Sequence, residues 1–140
     1  ETMYRFWHAL ILSYNRRLAE AEEVIDQIAA SSQQDIWAKL SIFLRATLNG
    51  ETKKIASLFS QNLKLAALRD CQTACLIAIF YSMLNDRKNA LRWLEVAAGR
   101  GFINYPFLAA CDPYLDNIRG DARFVKFIKR VKREWENFKA

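Results

Sequence analysis

Glycine and proline are scarce, four and two among 140 residues. With 52% hydrophobic residues besides, that composition excludes a disordered chain, a collagen-like repeat and a turn-rich β-sandwich. No apolar run approaches the roughly 18 to 20 residues needed to cross a bilayer. The longest, Ala74 to Tyr81, is closed by Thr73 and Ser82, so no membrane span is expected. Three cysteines, with Cys71 and Cys75 one helical turn apart, do not make a disulfide framework and predict a reducing compartment, the cytoplasm. The chain starts at Glu1 without the charged, apolar, small-residue order of a signal peptide, so it is expected to be a piece of a longer protein.

The motifs of common enzymes are missing too. There is no Gly-rich phosphate loop, no Gly-x-Ser-x-Gly and no His-Glu-x-x-His. His8 is the one histidine and has no partner at ligand spacing. Cys71 and Cys75 without a histidine or a second close pair make a poor zinc site, and small core residues explain them better. The sequence therefore predicts no catalytic residue, no metal and no cofactor. Arg119-Gly120-Asp121 falls across a helix stop and start and receives no adhesive meaning.

Helices remain. Sliding the chain by 36 residues places Leu40 on Leu76, Phe43 on Ile79, Leu44 on Phe80, Asn49 on Asn85 and Leu58 on Leu94. A shift of 33 places Trp7 on Leu40, Leu10 on Phe43 and Ile25 on Leu58. The period averages about 34, the length of a helix-turn-helix repeat, and apolar residues recur at three- and four-residue spacings. Helices are expected near 2–14, 17–30, 34–48, 52–60, 70–84 and 88–98, with 61–69 either extending the fourth or forming its own turn. Asn49-Gly50 and Asn85-Asp86 read as loops, Ser31-Ser32 as the approach to the third helix, Asp70 as an N-cap, and Gly99 as the left-handed residue after the sixth. Pairs near 2–33, 34–69 and 70–101 would form a first region, 1–101.

Residues 102–140 follow a different pattern. Phe102 to Leu108, broken by Pro106, suits a short docked helix; Asp112-Pro113 reads as a cap with proline at the first helical position, and Gly120-Asp121 as a stop and a new cap. In the last helix Phe124, Ile128, Val131, Trp135 and Phe138 form an apolar stripe, with Lys126, Lys129, Arg130, Lys132 and Arg133 around the other side. It reads as the cap of a repeat array, in preference to a membrane-surface helix or one that docks in an acidic groove.

This helix-pair unit resembles the tetratricopeptide repeat. The third pair carries the match best, with Ala78 at the close-packing position, Tyr81 at the aromatic position, and Ala90, Leu94 and Ala97 on the second helix. The first pair keeps Ala9, Ala21, Ile25 and Ile28, with Leu12 in place of the aromatic; the second has Ile42 and Lys54 where small residues belong. From Ala90 to Glu136, the order Ala-Leu-Arg-Trp-Leu-Glu, Gly-Phe-Ile-Asn-Tyr-Pro-Phe-Leu, Asp-Pro-Tyr-Leu, Ile-Arg-Gly-Asp-Ala-Arg-Phe and Val-Lys-Arg-Glu-Trp-Glu is similar to the C-terminal tetratricopeptide module of bacterial multidomain signalling proteins. There a serine/threonine kinase, nucleotide cyclase or DNA-binding regulator sits upstream. The resemblance implies an all-α, right-handed α-α superhelix with a docked short helix and a capping helix. It further implies a non-catalytic interaction module whose inner surface binds a protein or peptide partner, or the attached effector domain.

Repeat alignment places Phe6, Leu10, Tyr14, Ile36, Lys39, Phe43, Ile79 and Met83 on that inner surface. A carboxylate clamp needs several converging cations, and Lys39 alone does not supply one, so the groove suits an apolar helix face or extended segment. Burial of these residues in the core, and dimerisation through the same groove, are the other readings. Net charge is +6; residues 1–35 hold three basic and six acidic side chains, residues 121–140 seven and three. On charge alone the rival is a nucleic-acid or other acidic partner bound through the basic last helix; nucleic acid is disfavoured because no aromatic is interleaved with the exposed cations of that helix.

Overall fold

Helix starts are set by short carboxylates. Asp35 Oδ1 accepts from the Trp37 amide at 3.0 Å, Asp70 Oδ2 from Thr73 at 2.7 Å, and Asp86 Oδ1 from Asn89 at 3.1 Å, each satisfying an amide that the first turn leaves without a carbonyl. The computed structural model describes residues 1–31 and 34–138. They form α1 (Thr2–Tyr14), α2 (Leu18–Ser31), α3 (Ile36–Leu48), α4 (Thr52–Leu58), α5 (Gln61–Arg69), α6 (Cys71–Met83) and α7 (Arg87–Gly99). A π-type turn (Phe107–Cys111), a 3-10 turn (Pro113–Leu115), α8 (Asp116–Arg119) and α9 (Ala122–Phe138) follow. Among the described residues all regular structure is helical, without a strand. Segment 61–69 is a helix of its own. Ser31 ends α2, Ser32 lies outside the described residues, and Asp35 is the cap of α3.

Helix pairs recur with a precise closing turn. Arg16, Gly50 and Asn85 all have positive φ, 62°, 66° and 58°, and each follows the first helix of a pair. Their amides donate to Ser13, Thr47 and Ser82 carbonyls at 2.9–3.1 Å, and the next amides, of Arg17, Glu51 and Asp86, to Leu12, Ala46 and Tyr81 at 2.8–3.0 Å. This is the Schellman arrangement, which uses the last helical carbonyls and turns the chain back. The starts of α1, α3 and α6 are 34 and 35 residues apart, as are those of α2, α4 and α7. The second interval is thus 35 rather than 36, and Gly50, not Asn49, corresponds to Asn85. In that register Phe43 and Ile55 occupy the positions of Ala9 and Ala21 and of Ala78 and Ala90; Ile42 and Lys54 do not.

The same turn ends α7, but one pair of residues later than expected. Gly99 is the last helical residue, and Gly101, at φ +104°, is the left-handed one; its amide donates to Ala98 and that of Phe102 to Ala97.

The described chain forms two compact units, residues 1–64 and 65–140; their boundary lies within α5. In the first, α1 and α2 pack on each other and both on α3, which packs on α4. Ala9, Ala21, Ile25, Ile28, Leu40 and Leu44 are fully buried, and Phe43 meets Phe59 edge to face at 6.1 Å. Asp26 of α2 pairs with Arg45 of α3.

In the second unit α6 is central, buried at every position from Thr73 to Ser82. A helix apolar on all sides must be enclosed, and α7, the 3-10 turn and α8 pack against it. Ala78, Ala90, Leu94 and Ala97 are buried together with Tyr81. Ser82 Oγ donates to the Tyr114 carbonyl at 2.7 Å and Asn117 Nδ2 to that of Ser82 at 2.9 Å, which fastens the later segment to the end of α6. Arg119 donates to the Leu108 carbonyl from Nε and Nη2, 3.4 Å each, and pairs with Asp116.

A Cβ placed on Gly50 or Gly101 meets nothing within 4 Å, so alanine there carries only the backbone cost of a left-handed conformation, about 1 to 2 kcal/mol. Gly101 lies farther from the region open to L-residues. Gly101→Ala should therefore lower the urea midpoint more than Gly50→Ala, each with an unchanged m-value.

Candidate functional site

Helix α1 shows how the expected groove is distributed. Its inner side, Phe6, Ala9, Leu10, Leu12 and Ser13, is buried. Its outer side carries Tyr4, 73% exposed, and Ile11, 55% exposed, seven residues apart and therefore in line. Trp7 and Tyr14, half-buried, border that line. Trp7 belongs to an aromatic group with Phe6 and Trp37, centroids 5.4 to 6.1 Å apart. Tyr4, Trp7 and Ile11 were outside the groove drawn from the repeat alignment; the seven-residue spacing of Tyr4 and Ile11 was the available signal.

Of the eight groove residues, Phe6, Leu10, Phe43 and Ile79 lie in the interior, between 0% and 3% exposed. Tyr14, Ile36, Lys39 and Met83 are half-buried. The buried four belong to two compact units and contribute to packing there. Alignment by repeat locates the first helix of each pair but leaves its rotation open to error, because α1, α3 and α6 have apolar residues on more than one side.

In the second unit, α9 lies on α7 and α8 through Phe124, Phe127 and Val131, all at most 3% exposed. Phe127 is the centre of the stripe. Ile128 and Trp135 lie at its half-buried edge, and Phe138 is 83% exposed, so the expected stripe was rotated here as well. Arg130 pairs with Glu95 of α7 and stands 5.7 Å from the Phe127 ring. Lys126, Lys129 and Arg133, all exposed, follow one line at spacings of three and four, and no ion pair joins them among the described residues.

Asp121 anchors the start of α9. Its Oδ1 accepts from the Arg123 amide at 2.8 Å, and its other oxygen from Arg123 Nη2 at 2.8 Å. The Arg123 side chain and amide, with Arg87 nearby, hold this carboxyl down at about 2. Cys75 is buried and Cys111 exposed; burial pushes the Cys75 thiol far above its ordinary range, which suppresses its thiolate and its reactivity. Of the acidic residues Glu20, Glu22, Glu23 and Asp26 on α2, Glu20 pairs with Arg17 at 2.6 Å and Asp26 with Arg45. His8 is exposed. Among the described residues, no three His, Cys, Asp or Glu side chains are grouped as a metal site, and no helix is long and apolar enough to cross a membrane.

Two measurements follow from these placements. Phe43→Ala should destabilise the chain by about 3 to 5 kcal/mol in urea unfolding, the range for a fully buried aromatic, whereas an open groove position would leave the midpoint almost unmoved. Because the folded Asp121 pKa is depressed, its stabilising share is complete above the ordinary value of 3.8 and is lost as pH falls through about 2. Asp121→Asn should therefore melt below the wild type at neutral pH, with the gap closing between about pH 4 and pH 2. Compared with protein-family models, with curated proteins and with solved structures, the chain gives no match.

Proposed function

We propose that this chain is a non-catalytic, cytoplasmic protein-binding module of a larger bacterial signalling protein. Its helix pairs follow the tetratricopeptide pattern and, in the finer form of this reading, wind as a right-handed superhelix with α9 as the cap. The partner is a protein or peptide segment, or the effector domain attached to the module. The observation that carries the reading is the line of Tyr4 and Ile11 on α1, exposed and bordered by Trp7 and Tyr14. Scattered apolar side chains are ordinary on a protein surface, but aligned aromatic and aliphatic ones are what a docking face requires.

The contact surface therefore moves from the interior residues Phe6, Leu10, Phe43 and Ile79 to the outer side of α1. Helix pairing supports this assignment: the inner side of α1 is consumed by α2 and α3, so binding by the outer side costs no refolding. Aromatic anchors of this kind supply most of the affinity of a small interface.

A second reading has its own observation. Lys126, Lys129 and Arg133 form an exposed cationic line on α9, suited to an acidic partner or to nucleic acid. Such binding weakens steeply with salt, whereas an apolar contact persists.

Tyr4→Ser combined with Ile11→Ser should leave the helical circular dichroism and melting temperature nearly unchanged, since both sites are exposed. The wild type, immobilised, should retain a protein partner from extracts of its source cell in high salt, and the double variant should release it. Retention of nucleic acid alone, lost at high salt, would move the function to α9. A dimer by sedimentation that the double variant abolishes would identify a second copy as the occupant of α1.

A further inference from the structure

Within the second unit, the segment after α7 and the last turns of α9 border a shallow, open cleft. Phe102, Ile103, Asn104, Pro106, Trp135 and Phe138 line it, and its volume is about 370 Å³. That is near the lower end of the ~300–1,000 Å³ usual for ligand pockets, enough for one or two side chains. The left-handed turn at Gly101 brings Phe102 and Ile103 to this place immediately after α7 ends.

The walls are held by ring contacts. Phe102 meets Phe107 edge to face at 5.8 Å, and Tyr105 lies 5.9 Å from Trp135. Phe138, the most exposed large apolar side chain among the described residues, borders the opening. An aromatic ring held this far in water gains free energy from any apolar group that covers it.

One rim is charged. Lys132, one turn before Trp135, has its Nζ 5.8 Å from the Tyr105 ring. The nearest carboxylate, on Glu136, is 3.9 Å away, beyond hydrogen-bond distance, so Lys132 has bonding capacity to spare. Arg100, exposed at the end of α7, directly precedes the turn. The unit around the cleft holds thirteen basic and eight acidic side chains, a field that attracts acidic partners and repels basic ones.

We propose that this cleft docks a short acidic peptide segment of a partner protein. A Leu or Phe anchor of that segment seats against Phe102, Trp135 and Phe138, while adjacent carboxylates meet Lys132 and Arg100. The cation line of Lys126, Lys129 and Arg133 takes no part in it. The inference extends the reading of the chain as a binding module, and it uses different residues from the α1 line.

The test is fluorescence anisotropy of the full chain with a dye-labelled decapeptide whose central Leu-Phe is flanked on both sides by Asp and Glu. Binding on the order of 10 μM is expected, as for a small interface with one good anchor. Phe138→Ser should weaken it about tenfold with unchanged melting, because that side chain is almost fully in solvent. Lys132→Glu should weaken the acidic probe by a similar factor, with the difference shrinking in about 0.5 M salt. Tyr4→Ser with Ile11→Ser should leave this probe unaffected, so loss of the cleft interaction is separable from loss of the α1 contact.

Three results would each overturn the proposal. One is equal affinity for a probe with Lys in place of Asp and Glu. Another is an unchanged dissociation constant in both Phe138→Ser and Lys132→Glu. The third is no anisotropy change up to about 1 mM acidic probe, a concentration at which binding would be worth only about 4 kcal/mol.

Discussion

The left-handed residue after the first helix of each pair is the constraint from which the packing follows. Arg16, Gly50 and Asn85 let the next amide reach back to the carbonyl five residues before it, and the second helix then begins within two residues. A longer or looser connection would leave terminal carbonyls without donors and would not fix which faces meet. The hydroxyl residues Ser13, Thr47 and Ser82 supply the recurring acceptor, and all three are buried. Their own hydroxyls are satisfied, two within their helices and that of Ser82 by Tyr114. Where the positions facing each other hold alanine, Ala9 and Ala21 or Ala78 and Ala90, the helices can approach closely. In the second pair Phe43 and Ile55 take those places, and α4 stops after seven residues, with Phe59 set against Phe43.

The candidate surfaces are what remains once those faces are used. In the first unit α1 gives one side to α2 and α3 and keeps Tyr4 and Ile11 in water. In the second, α9 buries Phe124, Phe127 and Val131 and keeps its cations outward, while the Gly101 turn and the end of α9 leave Trp135 and Phe138 at an aromatic cleft. Charge is divided unequally between the units: eight basic and seven acidic side chains in the first, thirteen and eight in the second. An apolar contact and an electrostatically selected contact are thus separable within one chain. The first resists salt and the second gives selectivity and rate.

Local chemistry made the helices and their ends legible. Asp70, Asp112 and Asp121 cap as their positions imply, scarce glycine and proline argued against a turn-rich β-sandwich, and the apolar spacing located each pair to within a few residues. Registration was harder. Asn49 and Asn85 are both asparagines before a turn, which favoured an interval of 36, yet the backbone matches Gly50 to Asn85 because the left-handed conformation, not the side chain, defines the corner. Likewise Gly99 resembles a helix stop, but Gly101 allows two more residues of pairing before the chain reverses.

Which side of a helix is interior was decided by packing. Apolar periodicity names a face only when the other faces are polar, as in α9, and even there a rotation separated the expected stripe from the observed Phe124–Phe127–Val131 seam. In α1, α3 and α6 apolar residues stand on more than one side, so their pattern does not fix which side is enclosed: α6 is buried from Thr73 to Ser82, whereas α1 keeps Tyr4 and Ile11 in water. Burial of Phe6, Leu10, Phe43 and Ile79, and the exposure of Tyr4, Ile11 and Phe138, depend on which neighbours reach them. That information resides in contacts between residues remote along the chain, whereas caps and closing turns are settled by residues within six positions of one another.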